Sequence, residues 1–200
     1  MIIIFVGGVS LKKVFLFLVL ILTLILSACS SEIEGKPIDD FNFIDQSNEP
    51  FGHKDLQDKV SLVTFIYTYC PTECPMMTSN MAFIQEKIIE ESLESDVQLV
   101  SFSIDPEVDK PEVLTEYGER FGADFNIWHF LTGYTQEEIE DFGPKNFKTI
   151  IKKPKNDHFV IHQFDFYLLN KKGEIISQYD GYNDTPFDQI MKDMKKAVKN

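Results

Sequence analysis

The chain has 200 residues, which is enough for one domain and a targeting segment. Hydrophobic residues make up 44% of it, so a substantial core can form, and the formal net charge is −13 at pH 7. Nucleic acid is excluded as a main partner, because phosphate binding needs a basic surface. The acidic charge suits either solubility or attraction to a partner protein with a basic patch.

The first 28 residues have the pattern of a secretion signal. Lys12 and Lys13 precede an apolar run from Val14 to Leu26, and Leu26-Ser27-Ala28-Cys29 resembles the lipobox of bacterial lipoproteins. A transmembrane anchor is the alternative, but that run of 13 residues is shorter than the roughly 20 that a bilayer core needs. We therefore expect a lipoprotein signal peptide at residues 1–28 and lipid on Cys29. The protein would then sit on the cell membrane, facing the extracytoplasmic side.

A short polar stretch at residues 29–37 is typical of a tether. The folded unit is expected at residues 38–200. After removal of residues 1–28 the chain keeps 17 basic and 32 acidic residues, which gives a net charge near −15.

Strand and helix patterns alternate along the folded unit. A hairpin-like opening at 41–51 precedes the apolar run 60–67, which predicts a strand buried on both faces. The chain then predicts a helix that has Pro75 in its first turn, a strand at 97–104, a helix at 110–122, a short strand at 127–131, a helix at 136–142 closed by Gly143, an alternating run at 159–169, a returning strand at 175–179 and a helix at 185–198. This order predicts an α/β, thioredoxin-like fold, with a central mixed sheet flanked by helices and an N-terminal hairpin.

Cys70 and Cys74 lie between the predicted central strand and the start of the next helix. A disulfide between them would close too small a loop to stabilise the fold much, so a purely structural role is disfavoured. Free backbone N–H groups and the helix dipole at this position lower a cysteine pKa and favour the thiolate. A thiolate is both the nucleophile of disulfide exchange and a ligand for soft metals.

Histidine is the usual third ligand beside two thiolates. Four are available, and each of them taken alone also suits a structural role. His53 lies in a polar turn and His129 in an apolar stretch, whereas His158 and His162 lie where the late strand begins, close to the cysteine loop in thioredoxin-like folds. We favour His162. No proline occurs between residues 157 and 166, where thioredoxin-like reductases usually have a cis-proline, and this absence disfavours a general reductase.

Three blocks of sequence resemble the Sco/SenC family. They are, in chain order, Cys70-Pro71-Thr72-Glu73-Cys74-Pro75, Ser103-Ile104-Asp105-Pro106-Glu107 and Val160-Ile161-His162-Gln163. The resemblance implies a membrane-tethered protein that binds copper, as Cu(I) or Cu(II), through Cys70, Cys74 and His162. It also implies that Asp105 supports the site, although Asp105 could equally cap the next helix.

The same resemblance implies a role in loading or reducing the dinuclear copper centre of cytochrome c oxidase. The implied partners are the copper-centre subunit of that oxidase and a thiol reductant or copper donor protein. The main alternative is a thiol–disulfide oxidoreductase in which Cys70 attacks and Cys74 resolves. A peroxidase-like thiol enzyme and a non-catalytic scaffold lipoprotein are weaker alternatives. Copper binding and disulfide chemistry can both use this site, though not at the same time. Copper bound by the thiolates prevents the disulfide from forming, and the disulfide prevents copper from binding.

Overall fold

The computed structural model describes residues 35–154 and 159–200. The expected signal peptide, Cys29 and His158 lie outside these ranges. The described residues belong to one compact unit. No helix within the two ranges has the length and apolar character needed to cross a bilayer.

Strands and helices alternate in close agreement with the sequence pattern. In the described ranges the elements are β1 (Asn42–Ile44), β2 (Pro50–Gly52), a 3-10 turn (His53–Leu56), β3 (Val60–Ile66), α1 (Glu73–Glu90), β4 (Val97–Ser103), α2 (Pro111–Arg120), β5 (Trp128–Leu131), α3 (Gln136–Phe147), β6 (Ile151–Lys152), β7 (Ile161–His162), β8 (Asp165–Leu169), β9 (Ile175–Asp180) and α4 (Phe187–Val198). The predicted N-terminal hairpin is confirmed as β1–β2.

A five-stranded mixed sheet in the order β5-β4-β3-β8-β9 forms the centre of the fold. Strands β3, β4 and β5 run parallel, whereas β8 is antiparallel to β3, and β9 to β8. Every residue of β3 is buried, as expected for a strand covered on both faces. Ile66 and Ser103, the last residues of β3 and β4, are register partners. The loops that follow them therefore start side by side, at what we call the cysteine end of the sheet.

An aromatic cluster covers one face of the sheet. Phe102 of β4 is its centre, and the ring centroids of its neighbours lie between 5.4 and 6.2 Å away. These neighbours come from the N-terminal hairpin, from β3 and from α3: Phe41, Phe43, Phe65, Phe142 and Phe147. The cluster therefore attaches both the hairpin and α3 to the sheet.

Helices α1, α2 and α4 are linked on the other face. Tyr117 of α2 packs against Phe130 of β5 and forms a hydrogen bond of 2.8 Å with the hydroxyl of Thr78 in α1. Helix α1 also contacts α4 through the rings of Phe83 and Phe187, 4.7 Å apart. The predicted central mixed sheet flanked by helices is thus confirmed.

Helix α3 is longer than predicted. Its predicted end at Gly143 is wrong, because the helix continues to Phe147 and the chain leaves it only at Lys148, which has a φ of 57°. A Cβ atom at residue 143 would lie 2.3 Å from Ile151 Cδ1. Gly143 therefore allows a close approach of α3 to β6 and does not terminate the helix.

The late alternating run splits into two strands. Residues 161–162 form β7, which pairs with β6, and residues 165–169 form β8, which joins the main sheet. The β6–β7 hairpin was not predicted, since strands of two residues are too short to show an alternating pattern. The described residues contain no cis peptide bond, and His162 is the last residue of β7, shortly before β8.

The chain is attached to the sheet from Lys36 onward, close to the expected domain boundary at residue 38. The backbone N–H of Lys36 donates to the carbonyl of Ile175 over 2.9 Å, and Ile175 N–H donates back over 2.8 Å. Ile175 begins β9, whose other end, Asp180, pairs with Asp165. Since β8 and β3 are antiparallel, Asp165 lies at the cysteine end. The chain therefore enters the domain at the opposite end of the sheet.

Removal of the ring at the centre of the aromatic cluster should destabilise the fold strongly. We expect Phe102→Ala to lower the free energy of unfolding by about 3 to 5 kcal/mol, through lost burial and the cavity left behind. The control is Phe83→Ala on α1, where the ring is 40% exposed, and its cost should be clearly smaller. Denaturant unfolding followed by circular dichroism measures both. Equal costs would contradict a core organised around Phe102.

Candidate metal centre

The two cysteines lie where β3 leads into α1. Helix α1 begins at Glu73, so Cys74 is in its first turn and Cys70 lies in the loop just before it. Cys70 is 6% exposed and Cys74 is 0% exposed, and both thiols are free. The backbone N–H of Cys74 points at Cys70 Sγ, with an N···S distance of 3.4 Å. The loop therefore directs first-turn N–H groups towards one sulfur, as the motif predicted.

The two thiols differ strongly in acidity. A hydrogen bond from the Cys74 thiol, assisted by the backbone N–H groups of Cys74 and Thr72, lowers the pKa of Cys70 to about 5. The same bond, together with burial, raises the pKa of Cys74 far above that of an ordinary thiol. At neutral pH Cys70 is therefore a thiolate and Cys74 a thiol that donates to it. The buried Tyr67 hydroxyl adds a further hydrogen bond to Cys70.

His162 approaches the cysteines from the β6–β7 hairpin. Its Nε2 atom lies 3.5 Å from Cys74 Sγ, and its Nδ1 atom lies 2.8 Å from the carbonyl oxygen of Gln163. Because a carbonyl can only accept, Nδ1 carries the proton and Nε2 presents its lone pair to the sulfur. Burial lowers the pKa of His162, which favours this neutral form. The rings of Tyr67 and Phe164 pack against the imidazole edge-on.

The distance between Cys74 Sγ and His162 Nε2 suits two ligands of one metal ion. With bonds of about 2.3 Å to sulfur and about 2.0 Å to nitrogen, as in zinc sites, two ligands of one ion lie roughly 3.5 to 3.8 Å apart. Cys74 and His162 already have this separation. In residues 35–154 and 159–200, however, no three His, Cys, Asp or Glu side chains form a complete metal-binding group. The protein thus presents one pair of donors in contact, with the Cys70 sulfur alongside.

Asp109, which was not singled out as a site residue, holds the segment before the cysteines. It is fully buried and accepts hydrogen bonds from the Thr68 hydroxyl (2.6 Å), the Thr68 N–H (3.2 Å) and the Ser103 hydroxyl (2.7 Å). Burial nevertheless raises the pKa of Asp109 to about 6. This carboxyl group connects the start of the cysteine loop to the end of β4. Its position two residues after the second sequence block was visible, but its burial was not.

Asp105 is almost fully buried in the loop after β4. Its carboxylate forms an ion pair of 2.7 Å with Lys153 Nζ, and its own backbone N–H donates to the Ser103 hydroxyl. The side chain does not cap α2, whose N-cap residue is Lys110. Glu73, by contrast, lies 3.5 Å from Cys70 Sγ, a neighbour that the sequence analysis did not identify.

Two of the other histidines have structural surroundings. His129 lies in β5, where it packs against Phe51 and has Nδ1 3.8 Å from Asp45. His53 lies in the turn after β2, edge-on to Phe41. His162 is thus the histidine that the described structure brings to the cysteines.

Alkylation kinetics should reveal the acidic thiol. Because the pKa of Cys70 is near 5, its reaction rate with iodoacetamide should rise between pH 4 and 6 and then level off. An ordinary thiol continues to gain reactivity up to about pH 9. In Cys74→Ala the hydrogen bond from Cys74 is lost, so the midpoint for Cys70 should move to higher pH. An unchanged midpoint in that variant would contradict the assigned cause.

Asp109 should make stability depend on pH. Its folded-state pKa of about 6 lies above the ordinary value of 3.8, so its contribution to stability is complete below about pH 4 and is lost as the pH rises through 6. Asp109→Asn removes this dependence. The stability of the variant relative to wild type should therefore rise by up to about 3 kcal/mol between pH 4 and 7. Denaturant unfolding at each pH measures it, Asp188→Asn on the exposed face of α4 is the control, and parallel profiles for wild type and Asp109→Asn would refute the claim.

The comparisons with known proteins agree with this geometry. The SCO1/SenC family model matches residues 32–199. A SCO1/SenC family lipoprotein from Bacillus anthracis str. Ames is 42% identical, with a TM-score of 0.78 over 86% of this chain and 99% of that one. BsSco, a Sco family member with an identified disulfide switch, is 41% identical, with a TM-score of 0.75 over 82% of this chain and 95% of that one.

A third similar structure contains copper. ScoI from Arabidopsis thaliana with copper bound is 26% identical, with a TM-score of 0.67 over 80% of this chain and 97% of that one. Sco proteins thus bind copper, and BsSco is described as belonging to a family of cytochrome c oxidase assembly proteins. These similarities also confirm the thioredoxin-like fold class. Since the family model covers nearly the whole described domain, this chain belongs to the SCO1/SenC family.

Proposed function

We propose that this chain is an extracytoplasmic copper-binding assembly factor that helps to load or reduce the dinuclear copper centre of cytochrome c oxidase. The observation that carries the proposal is the approach of His162 Nε2 to within 3.5 Å of Cys74 Sγ, beside the Cys70 thiolate. Two sulfurs and one imidazole suit copper in both of its oxidation states. The copper-bound relatives support the same metal.

In this proposal Cys70, Cys74 and His162 are the copper ligands. Cys70 is already deprotonated at neutral pH, and the Nε2 lone pair of His162 is already directed at the other sulfur. Only Cys74 must release its proton when copper binds. Metal binding should therefore release about one proton from the thiol pair near pH 7.

The same two thiols can carry a redox function. Oxidation of the Cys70 thiolate and the Cys74 thiol forms one S–S bond and releases one proton and two electrons, and an oxidised metal or disulfide centre of the partner would accept the electrons. The disulfide would remove both thiolate ligands, so the redox state of the pair would control copper binding. The acidic Cys70 thiol favours disulfide exchange as the second candidate activity.

The surface around the site suits a protein partner. Of the eight large hydrophobic side chains exposed in the described ranges, six lie at the cysteine end of the sheet: Tyr69, Met76, Val108, Ile150, Phe159 and Ile161. A groove beside His162 is lined by Asp165 and Asp180. We propose that the copper-centre subunit of the oxidase binds here with an apolar patch and a basic rim.

A lipid anchor on Cys29 would hold the end of the domain opposite this surface close to the membrane. The chain enters the sheet at Lys36, at the end opposite the cysteines. The six residue steps from Cys29 to Gly35 span at most about 20 Å. The anchor would thus fix the far end of the domain and leave the cysteine end facing outward, towards a partner domain that rises from the same membrane. The Bacillus anthracis lipoprotein supports the anchor.

Copper titration tests the proposed function. Reduced protein should bind one Cu(II) and develop an intense sulfur-to-copper charge-transfer band, whereas protein with the disulfide formed should not. His162→Ala should weaken Cu(II) binding by at least about tenfold, because the nitrogen ligand is lost. The matched control, His53→Ala, should behave like wild type. An unchanged spectrum in His162→Ala would exclude His162 as a ligand, and efficient mixed-disulfide turnover without any copper binding would favour the oxidoreductase.

A further inference from the structure

The position of His162 depends on a very short hairpin. Strand β7 contains only Ile161 and His162, and both pair with β6. Ile151 is the direct register partner of His162, and Lys152 is the partner of Ile161. Since β7 belongs to the β6–β7 pair and not to the main sheet, the attachment of β6 to the domain contributes to holding the imidazole over the cysteines.

Glu140 of α3 accepts a hydrogen bond from the Lys153 N–H over 2.8 Å, and two side chains further attach β6 to the body of the domain. Ile151 is buried and packs against Gly143 of α3. Lys153, the residue directly after β6, extends its ammonium group to the loop after β4. There Lys153 Nζ lies 2.7 Å from Asp105 Oδ1 and 2.9 Å from Glu107 Oε2.

Burial distinguishes this ion pair from an ordinary surface pair. The side chains of Lys153 and Asp105 are 17% and 4% exposed. Breaking such a pair leaves a buried charge without compensation, and this is strongly unfavourable. The adjacent Lys152 is 66% exposed and pairs with Glu140, whose side chain is 15% exposed; because this pair is open to solvent on the lysine side, it contributes less than the buried pair.

We propose that Lys153 is a positioning residue for the metal site, because its ion pair with Asp105 fixes the β6–β7 hairpin and thereby the height of His162 above the cysteines. This inference rests on the proposed function of the site and goes beyond it, since Lys153 touches none of the proposed ligands. It also gives Asp105 a physical role, because its carboxylate holds the β6–β7 hairpin, and with it His162, in place through Lys153.

The loop after β4 then positions both the histidine hairpin and the cysteine segment. Asp105 holds the histidine hairpin through Lys153, and Asp109 holds the cysteine segment through Thr68. The two carboxylates belong to one turn, in which the Asp109 N–H donates to the Asp105 carbonyl over 2.9 Å. The separation of the imidazole from the sulfurs is thus set within five consecutive residues.

Loosening of the hairpin should weaken the binding of Cu(II) more than the binding of Cu(I). Two thiolates alone can hold Cu(I), whereas Cu(II) needs the nitrogen donor in addition. A displaced His162 should therefore weaken Cu(II) binding while leaving the acidity of Cys70 unchanged.

The first test needs no metal. Hydrogen exchange of the backbone amides at residues 150–152 and 160–163 should be at least about tenfold faster in Lys153→Gln than in wild type, and exchange in β3 should be unchanged. Lys152→Gln is the matched control and should exchange like wild type. Lys153→Arg, which keeps the charge, should restore slow exchange. In the double variant Asp105→Asn/Lys153→Gln no buried charge is left without its partner, yet the hairpin should remain loose because the ion pair is absent.

The second test uses copper. The rate of Cu(II) dissociation from Lys153→Gln should be about 10- to 100-fold higher than from wild type and from Lys152→Gln, with the pH profile of Cys70 alkylation preserved. Wild-type protein that fails to bind copper would refute the proposed function, while the exchange experiment would still decide the role of Lys153. Slow exchange in Lys153→Gln, or a double variant that regains slow exchange, would overturn the inference.

Discussion

The contact between Cys74 Sγ and His162 Nε2 is the constraint on which the site depends. Its two atoms come from segments 88 residues apart, one at the start of a helix and the other in a hairpin beside the main sheet. Local sequence cannot create this contact. It requires a parallel sheet that ends β3 and β4 together, because the loops after these two strands hold the cysteine segment and the histidine hairpin.

The chemistry of the site follows from an asymmetric pair of thiols. One sulfur receives hydrogen bonds from the first turn of α1 and from the other cysteine, and the second sulfur is buried with its proton. A neutral imidazole completes the set, with its proton fixed on the side away from the sulfur by a backbone carbonyl. In the proposed copper site, this arrangement would make two of the three donors ready for a metal at neutral pH, and it would leave the same thiols available for oxidation.

Much of the fold was predictable from sequence patterns, because the long elements have strong periodicity. The apolar run of β3, the helix after Pro75 and the closing hairpin and helix all appear where predicted. The helix end predicted at Gly143 was wrong. A glycine is present there because α3 packs closely against Ile151. The β6–β7 hairpin escaped prediction because its strands have two residues each.

The site was predictable to a similar degree. The position of the cysteines at a strand–helix junction indicated an acidic thiol, which the structure gives to Cys70 alone, and the position of His162 before the late strand indicated a third donor. The residues that hold these groups were not predictable, because Asp109 and Lys153 matter through burial and through contacts across 41 and 48 positions of the chain. X-ray absorption spectroscopy of the copper-loaded protein tests the central claim most directly. If Cys70, Cys74 and His162 are the ligands, the copper shell contains two sulfurs and one imidazole nitrogen; a shell with one sulfur, or without imidazole in the Cu(II) form, would contradict this assignment.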